Sequence, residues 1–144
     1  GLTTPFVLTD ASVRALLTAE GWPFEKLVDN VWRTWMNGSG TRLPIVVRLD
    51  VDEGVVRFAV VPFLRSPGES ARAHALYEHL LVLNAGMKLA KYSIDDDLDV
   101  FLSVEYPAVA LDESEFRDAL SALAHYAQRD YGAVAALAAP GAGF

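Results

Sequence analysis

The segment from Leu43 to Phe63 constrains the fold most, because it reads as a β-hairpin from end to end. Leu43, Ile45, Val47, Leu49 and Val51 alternate strictly with their neighbours, which is the period of a half-buried strand. Asp52-Glu53-Gly54 supplies turn residues, and Val55 to Phe63 returns as the partner strand. A hairpin commits the chain to antiparallel pairing, and an antiparallel sheet needs something to cover its apolar face.

Helices at both ends supply that cover. Thr9 and Asp10 offer capping oxygens ahead of Val13, Leu16 and Leu17, and Gly21 stops the turn, so a first helix is predicted over Asp10 to Glu20. Ser66-Pro67-Gly68-Glu69 has the form of a capping box with Pro at the first helical position. The helix it opens has a core face of Ala73, Leu76, Tyr77, Leu80, Leu83 and Asn84. Asp112 with Glu115 caps a last helix with the stripe Phe116, Leu120, Leu123, Ala127, Val134 and Leu137, which Gly132 is expected to break or kink. Leu27 to Met36 is rich in β-branched and aromatic residues and reads as a strand, followed by a turn at Asn37-Gly38-Ser39-Gly40. Met87 to Ile94 and Leu98 to Tyr106 form a further hairpin around Asp95-Asp96-Asp97. The predicted order is α-β-β-β-α-β-β-α, an α+β fold with an antiparallel sheet packed against helices. Residues 1–144 form one domain in this reading, with 1–8 and 139–144 as loose termini and Pro140-Gly141-Ala142-Gly143 as a frayed tail.

Composition narrows the function classes. At 144 residues, 52% hydrophobic and 22% charged, the chain is long and apolar enough to bury one core. It has no cysteine, so disulfides, thiolate chemistry and Cys-based metal sites are excluded. No apolar run approaches the ~20 residues of a membrane span, and no signal-peptide pattern is present. The expected location is the cytoplasm. A net charge of −7 disfavours direct contact with nucleic acid or anionic membranes and favours a basic partner, nucleic-acid-binding proteins being one such class.

Chemistry-bearing motifs are sparse. His74, His79 and His125 fall on predicted helices, and the five-residue spacing of His74 and His79 takes them off a shared ligand face. Asp50-Val51-Asp52-Glu53-Gly54 begins like a calcium loop, but its twelfth position is Val61 where a bidentate acid is required. Asp95, Asp96, Asp97 and Asp99 sit where a hairpin turn is needed. No nucleophile elbow, zinc motif or phosphate-cradling loop occurs, so neither catalysis nor a cofactor is expected.

Binding features are more telling. Trp32 and Trp35 are three apart, so on a regular strand one ring faces the core and the other faces solvent, a second subunit or a partner, unless a bulge returns both inward. The strand from Val55 is apolar on both sides, with Val56, Phe58 and Val60 on one and Val55, Ala59, Val61 and Phe63 on the other. Such a strand is covered on both faces, within a monomer or across an interface. Arg33, Arg48 and Arg57 on consecutive strands are placed to line up on one sheet face. Trp32, Trp35, Arg33, Arg48, Arg57 and Phe63 are therefore the protein-binding candidates. Ala71, Ala75 and Val82 form a minor stripe on the second helix, suited to close helix packing in a two-fold dimer or present simply as helix formers.

Several segments together resemble the YbjN-like family of bacterial proteins. They are the first helix closing at Gly21-Trp22, the run Leu83-Asn84-Ala85-Gly86-Met87-Lys88-Leu89-Ala90-Lys91-Tyr92 and the acidic turn Asp95 to Asp97. The fourth is Leu111-Asp112-Glu113-Ser114-Glu115-Phe116, opening a long helix with Tyr131 near its end. The resemblance spans about Ala11 to Leu137 and extends, in fold, to class I type III secretion chaperones. It implies a homodimer that binds stretches of a partner protein along sheet and helix surfaces, and a family labelled as sensory transduction regulators. No known family site maps onto the tryptophans. The leading expectation is a non-enzymatic, chaperone-like adaptor for a protein client. The alternative is a regulator that responds to a small ligand.

Overall fold

The computed structural model describes residues 7–38 and 40–139; the segments expected to be loose lie outside these except for 7, 8 and 139, and so does Ser39 of the predicted turn. The elements are α1 (Asp10–Ala19), β1 (Glu25–Val28), β2 (Val31–Gly38), β3 (Thr41–Asp50), β4 (Val55–Leu64), α2 (Ser70–Gly86), β5 (Lys91–Ile94), β6 (Val100–Pro107), a 3-10 turn (Ala108–Ala110) and α3 (Glu113–Ala138). All strand pairs are antiparallel, in the order β1-β2-β3-β4-β6-β5. The expected α+β architecture is the observed one, with one strand more. The segment read as a single strand from Leu27 is a hairpin: Val28 pairs with Val31 around Asp29-Asn30, and Asn30 adopts a left-handed φ of 62°.

The helix signals divide into two kinds. Thr9 caps α1 reciprocally, its hydroxyl accepting from the Ser12 amide at 3.1 Å while Ser12 Oγ accepts from the Thr9 amide at 2.9 Å. Asp112 caps α3 by accepting from the Glu115 amide at 2.7 Å. Ser66 to Glu69, by contrast, is not a capping box. Gly68 turns left-handed at φ 77°, α2 begins only at Ser70, and Glu69 caps it without a side-chain hydrogen bond. Ser66 instead donates its amide to Asp99 Oδ1 at 2.7 Å, tying the approach to α2 to the β5–β6 turn. Gly132 does not break α3, which runs 26 residues through it. The roughly 1 kcal/mol a helical glycine costs is small against the burial of Val134 beyond it.

The core lies between one sheet face and the helices. Trp32, Thr34 and Met36 of β2 pair with Val47, Ile45 and Leu43 of β3, all buried. Val56, Phe58 and Val60 of β4 and Val100, Leu102 and Val104 of β6 continue this face. Against it α1 buries Val13, Leu16 and Leu17, and α3 buries Phe116, Leu120, Leu123, Ala127 and Val134. Phe58 meets Phe116 edge-on with ring centroids 5.1 Å apart. Leu8 also joins this cluster. Of the buried polar side chains, Asp130, 5% exposed, accepts from the Tyr92 hydroxyl at 2.7 Å and from Arg129 Nε at 2.7 Å, whereas the Thr34 and Ser103 hydroxyls have no hydrogen-bond partner among the described residues. Burial and the neighbouring Asp130 carboxylate together raise the Tyr92 phenol well above its ordinary value. Among the described residues no helix is long and apolar enough to cross a membrane.

Candidate functional site

The reverse face of the sheet carries the feature that composition alone does not reveal. Period-two alternation sends Arg33 and Trp35 of β2, Arg42, Pro44, Val46 and Arg48 of β3, and Val55, Arg57 and Ala59 of β4 to the side opposite Trp32, Ile45 and Phe58. Phe101, Ser103 and Glu105 extend it on β6, and Glu25 on β1. The core side chains of α1 and α3 pack against the opposite face, α3 meeting β2, β4 and β6, while on this face Ala59 and Ser103 are buried. Val31, Trp35, Pro44, Val46, Val55 and Phe101 are half-buried rather than enclosed.

Trp35 is the centre of the arrangement. Its ring lies beneath two guanidinium groups, Arg33 at 4.9 Å and Arg42 at 4.5 Å from its centroid. Arg33 is also held by Glu25 through a bidentate pair, Nε–Oε2 3.1 Å and Nη2–Oε1 2.9 Å. Arg57 is held by Glu105 at 2.6 Å. Arg48 stands directly opposite Arg57 in the β3–β4 ladder. Among the described residues Arg48 has no carboxylate partner. Sequence reasoning had not singled out Arg42; its position seven residues from Trp35, across a short turn, was the available signal.

Of the sequence candidates, Trp35, Arg33, Arg48 and Arg57 converge on this face. Trp32 and Phe63 do not. Trp32 is 1% exposed, and its indole donates to Asp10 Oδ1 at 2.8 Å. Lys26, hydrogen-bonded to the same carboxylate, and then Trp32 hold Asp10 below the usual carboxylate value. Phe63 leaves the reverse face because the β4–β6 register shifts between Val60 and Leu64. It turns inward to pack against Tyr92 and Tyr131, at centroid distances of 5.3 and 5.4 Å. Neither residue has a surface to offer a partner. The dimer candidates Ala71, Ala75 and Val82 are all exposed on α2, beside Leu81, with Leu81 and Val82 at 69% and 68% exposure.

Asp95, Asp97 and Asp99 bring carboxylate oxygens within 4.8 Å of one another, and those of Asp95 and Asp99 serve the turn. Asp95 Oδ1 accepts from the amides of Asp97 and Asp99, and Asp99 accepts from Ser66.

The family-like run after α2 also has a structural account. The Asn84 amide group mimics a strand, donating to the Tyr92 carbonyl at 3.0 Å and accepting from the Tyr92 amide at 2.7 Å. The Lys88 amide donates to the Tyr126 hydroxyl at 2.9 Å, and Leu89 takes a left-handed φ of 70°. These contacts hold residues 87–90 in a turn, which is why β5 begins at Lys91 and not at Met87.

Solved structures share this fold. The crystal structure of YbjN from E. coli superposes with a TM-score of 0.65 at 14% identity, covering 90% of this chain and 96% of that one. A chain of the HopA1–SchA chaperone–effector complex gives 0.53 at 15% identity, covering 85% and 94%. A chain of the ExsC–ExsE complex gives 0.52 at 15% identity, covering 88% and 97%. At these identities the likeness is one of fold, and it is the chaperone-like fold expected from the sequence. No curated protein matches the chain. The model of a family described as "Putative bacterial sensory transduction regulator" matches residues 9–136, so the chain belongs to the YbjN family.

Proposed function

We propose that this protein is a non-enzymatic, chaperone-like adaptor that acts in the cytoplasm as a homodimer and holds a segment of a client protein on the reverse face of its sheet. One observation carries the reading: Trp35, half-buried and stacked under Arg33 and Arg42, stands on the sheet face opposite the one that packs against the core of α1 and α3. Trp and Arg are among the residues enriched at the energetic centre of protein interfaces, Trp because it buries a large area with few rotors and Arg because its planar fork stacks on aromatic rings and pairs bidentately. Pro44, Val46 and Val55 surround them with half-buried apolar surface. Two of the structural neighbours are complexes, one of them of a chaperone with an effector, and the family description supports a regulatory role for whatever is held. Dimerisation is assigned to the exposed α2 stripe of Ala71, Ala75 and Val82.

The sequence-wide charge of −7 favours a basic client. A client seated on the sheet, however, meets the arginines of that face before it meets the total.

Photo-crosslinking tests the site. A photoreactive residue in place of Val46 should capture a discrete partner in a lysate of the protein's own cells, and the same residue in place of Ser121, exposed on α3, should not. Trp35→Ala in the Val46 variant should abolish capture while the protein stays folded. Equal capture from both positions, or none from Val46, would remove the reverse face as the client site.

A further inference from the structure

We propose that the reverse face, taken as the client site above and resting on that reading, recognises an extended acidic segment laid along β3. The segment would carry two carboxylates about six residues apart, with apolar side chains at the alternate positions between them. The template is β3 itself. On this face it presents Arg42, Pro44, Val46 and Arg48 in alternation, cation, apolar, apolar, cation, over ~20 Å at the rise of a strand. Trp35 lies directly across from Pro44 and widens the apolar middle.

The two ends of that row are the arginines without carboxylates. Arg33 and Arg57 each have one, Glu25 and Glu105. Arg42 is placed over the Trp35 ring, and among the described residues neither it nor Arg48 has an ion-pair partner. Arg48 moreover faces Arg57 across the ladder, a like-charge pairing that weakens a sheet and that any acidic residue at position 48 would relieve. Asp50, Glu53 and Glu105 line the depression of about 230 Å³ beside this pair. Asp50 is engaged there by the Glu53 amide at 3.0 Å, and Glu105 by Arg57. An incoming carboxylate at Arg48 would give that guanidinium the partner Arg57 already has in Glu105, and a second at Arg42 would leave its stacking on Trp35 intact.

Nucleic acid fits the same surface less well. A polyphosphate has charge at every step and would run onto Glu25 and Glu105, with the −7 of the whole chain opposing its approach. A peptide with two spaced carboxylates sets one beside each of the two arginines that lack partners, and only its end at Arg48 passes Asp50, Glu53 and Glu105.

Fluorescence anisotropy on the intact chain tests this with a labelled synthetic peptide containing Glu-Thr-Leu-Thr-Val-Thr-Glu. Three controls accompany it: a peptide of the same composition with the glutamates adjacent, one with lysine for both glutamates, and a twelve-nucleotide single strand. The spaced peptide should bind about tenfold more tightly than the shuffled one, and more weakly as salt rises. Arg48→Glu should cost about tenfold for the spaced peptide and improve binding of the lysine peptide, with Arg42→Ser as a second, independent loss. Equal binding of spaced and shuffled peptides, no effect of Arg48→Glu, or absence of peptide binding would overturn the proposal, and tightest binding of the oligonucleotide would replace it with a nucleic-acid surface. If crosslinking from Val46 succeeds while the peptides fail, the adaptor reading stands and only the acidic segment falls; if both fail, the face is not a binding site.

Discussion

Two tryptophans three residues apart have opposite fates, and the difference is a matter of register. Trp32 pairs with Val47 and points into the core, whereas Trp35 pairs with Pro44 and points out of it. Strand alternation shows that the two rings separate, but which one goes inside depends on the partner strand, since both sit among similar neighbours. The energetic consequence is large. Trp32→Ala would empty a fully buried site and leave Asp10 without its indole donor, a loss of about 3–5 kcal/mol. Trp35→Ala removes a half-buried ring that holds no buried polar group, so its cost should stay below about 1 kcal/mol. Urea unfolding of the two variants checks the contrast, and similar midpoints would mean that Trp35 is structural too.

At the scale of elements, the most informative contact is the Asn84 side chain, which pairs with both backbone groups of Tyr92 and so fastens the end of α2 to the four-residue edge strand β5. Asn84→Ala should cost about 1–3 kcal/mol by orphaning the Tyr92 amide and carbonyl. Hydrogen exchange at the Tyr92 amide should quicken more than that of β3, because a short edge strand opens before the sheet centre. Uniform loss of protection across the sheet would show instead that β5 unfolds only with the whole. Such side-chain pairing with backbone leaves little trace in a hydrophobic pattern. Asn84 is legible as part of a helix face, and Leu83 to Tyr92 as a family-like run, but the bond between them is not. The same limit explains the other differences. Elements defined by periodicity and side-chain caps, such as β3, β4, α1 and α3, were readable in the sequence. Where one local turn decides, the pattern misleads. Asp29-Asn30 splits an apparent strand into β1 and β2, Gly68 delays α2, and the shift after Val60 carries Phe63 to the other face.

On the scale of the whole molecule, charge and exposure are distributed rather than summed. A chain of net −7 presents Arg33, Arg42, Arg48 and Arg57 on one sheet face, while α2 offers an apolar exterior on another side of the fold. The short β1 edge is guarded by Glu25 and Lys26, which discourages a further strand from adding there. The proposed dimer would use the α2 exterior, where the exposed Ala71, Ala75 and Val82 would let two helices approach closely and Leu81 would add buried area. Placing lysine at both Ala75 and Val82 sets charges on that seam without touching the core, since neither side chain is buried in the protomer. Sedimentation equilibrium should then fall from about twice 15.7 kDa toward 15.7 kDa, with circular dichroism unchanged. The variant also separates the two surfaces: if client capture at Val46 survives in the monomer, the sheet face binds by itself, and if it is lost with the dimer, the client must span both protomers. A dimer that persists with both lysines in place would move the interface off α2, and the reverse sheet face would then have to be weighed as the meeting place of two copies.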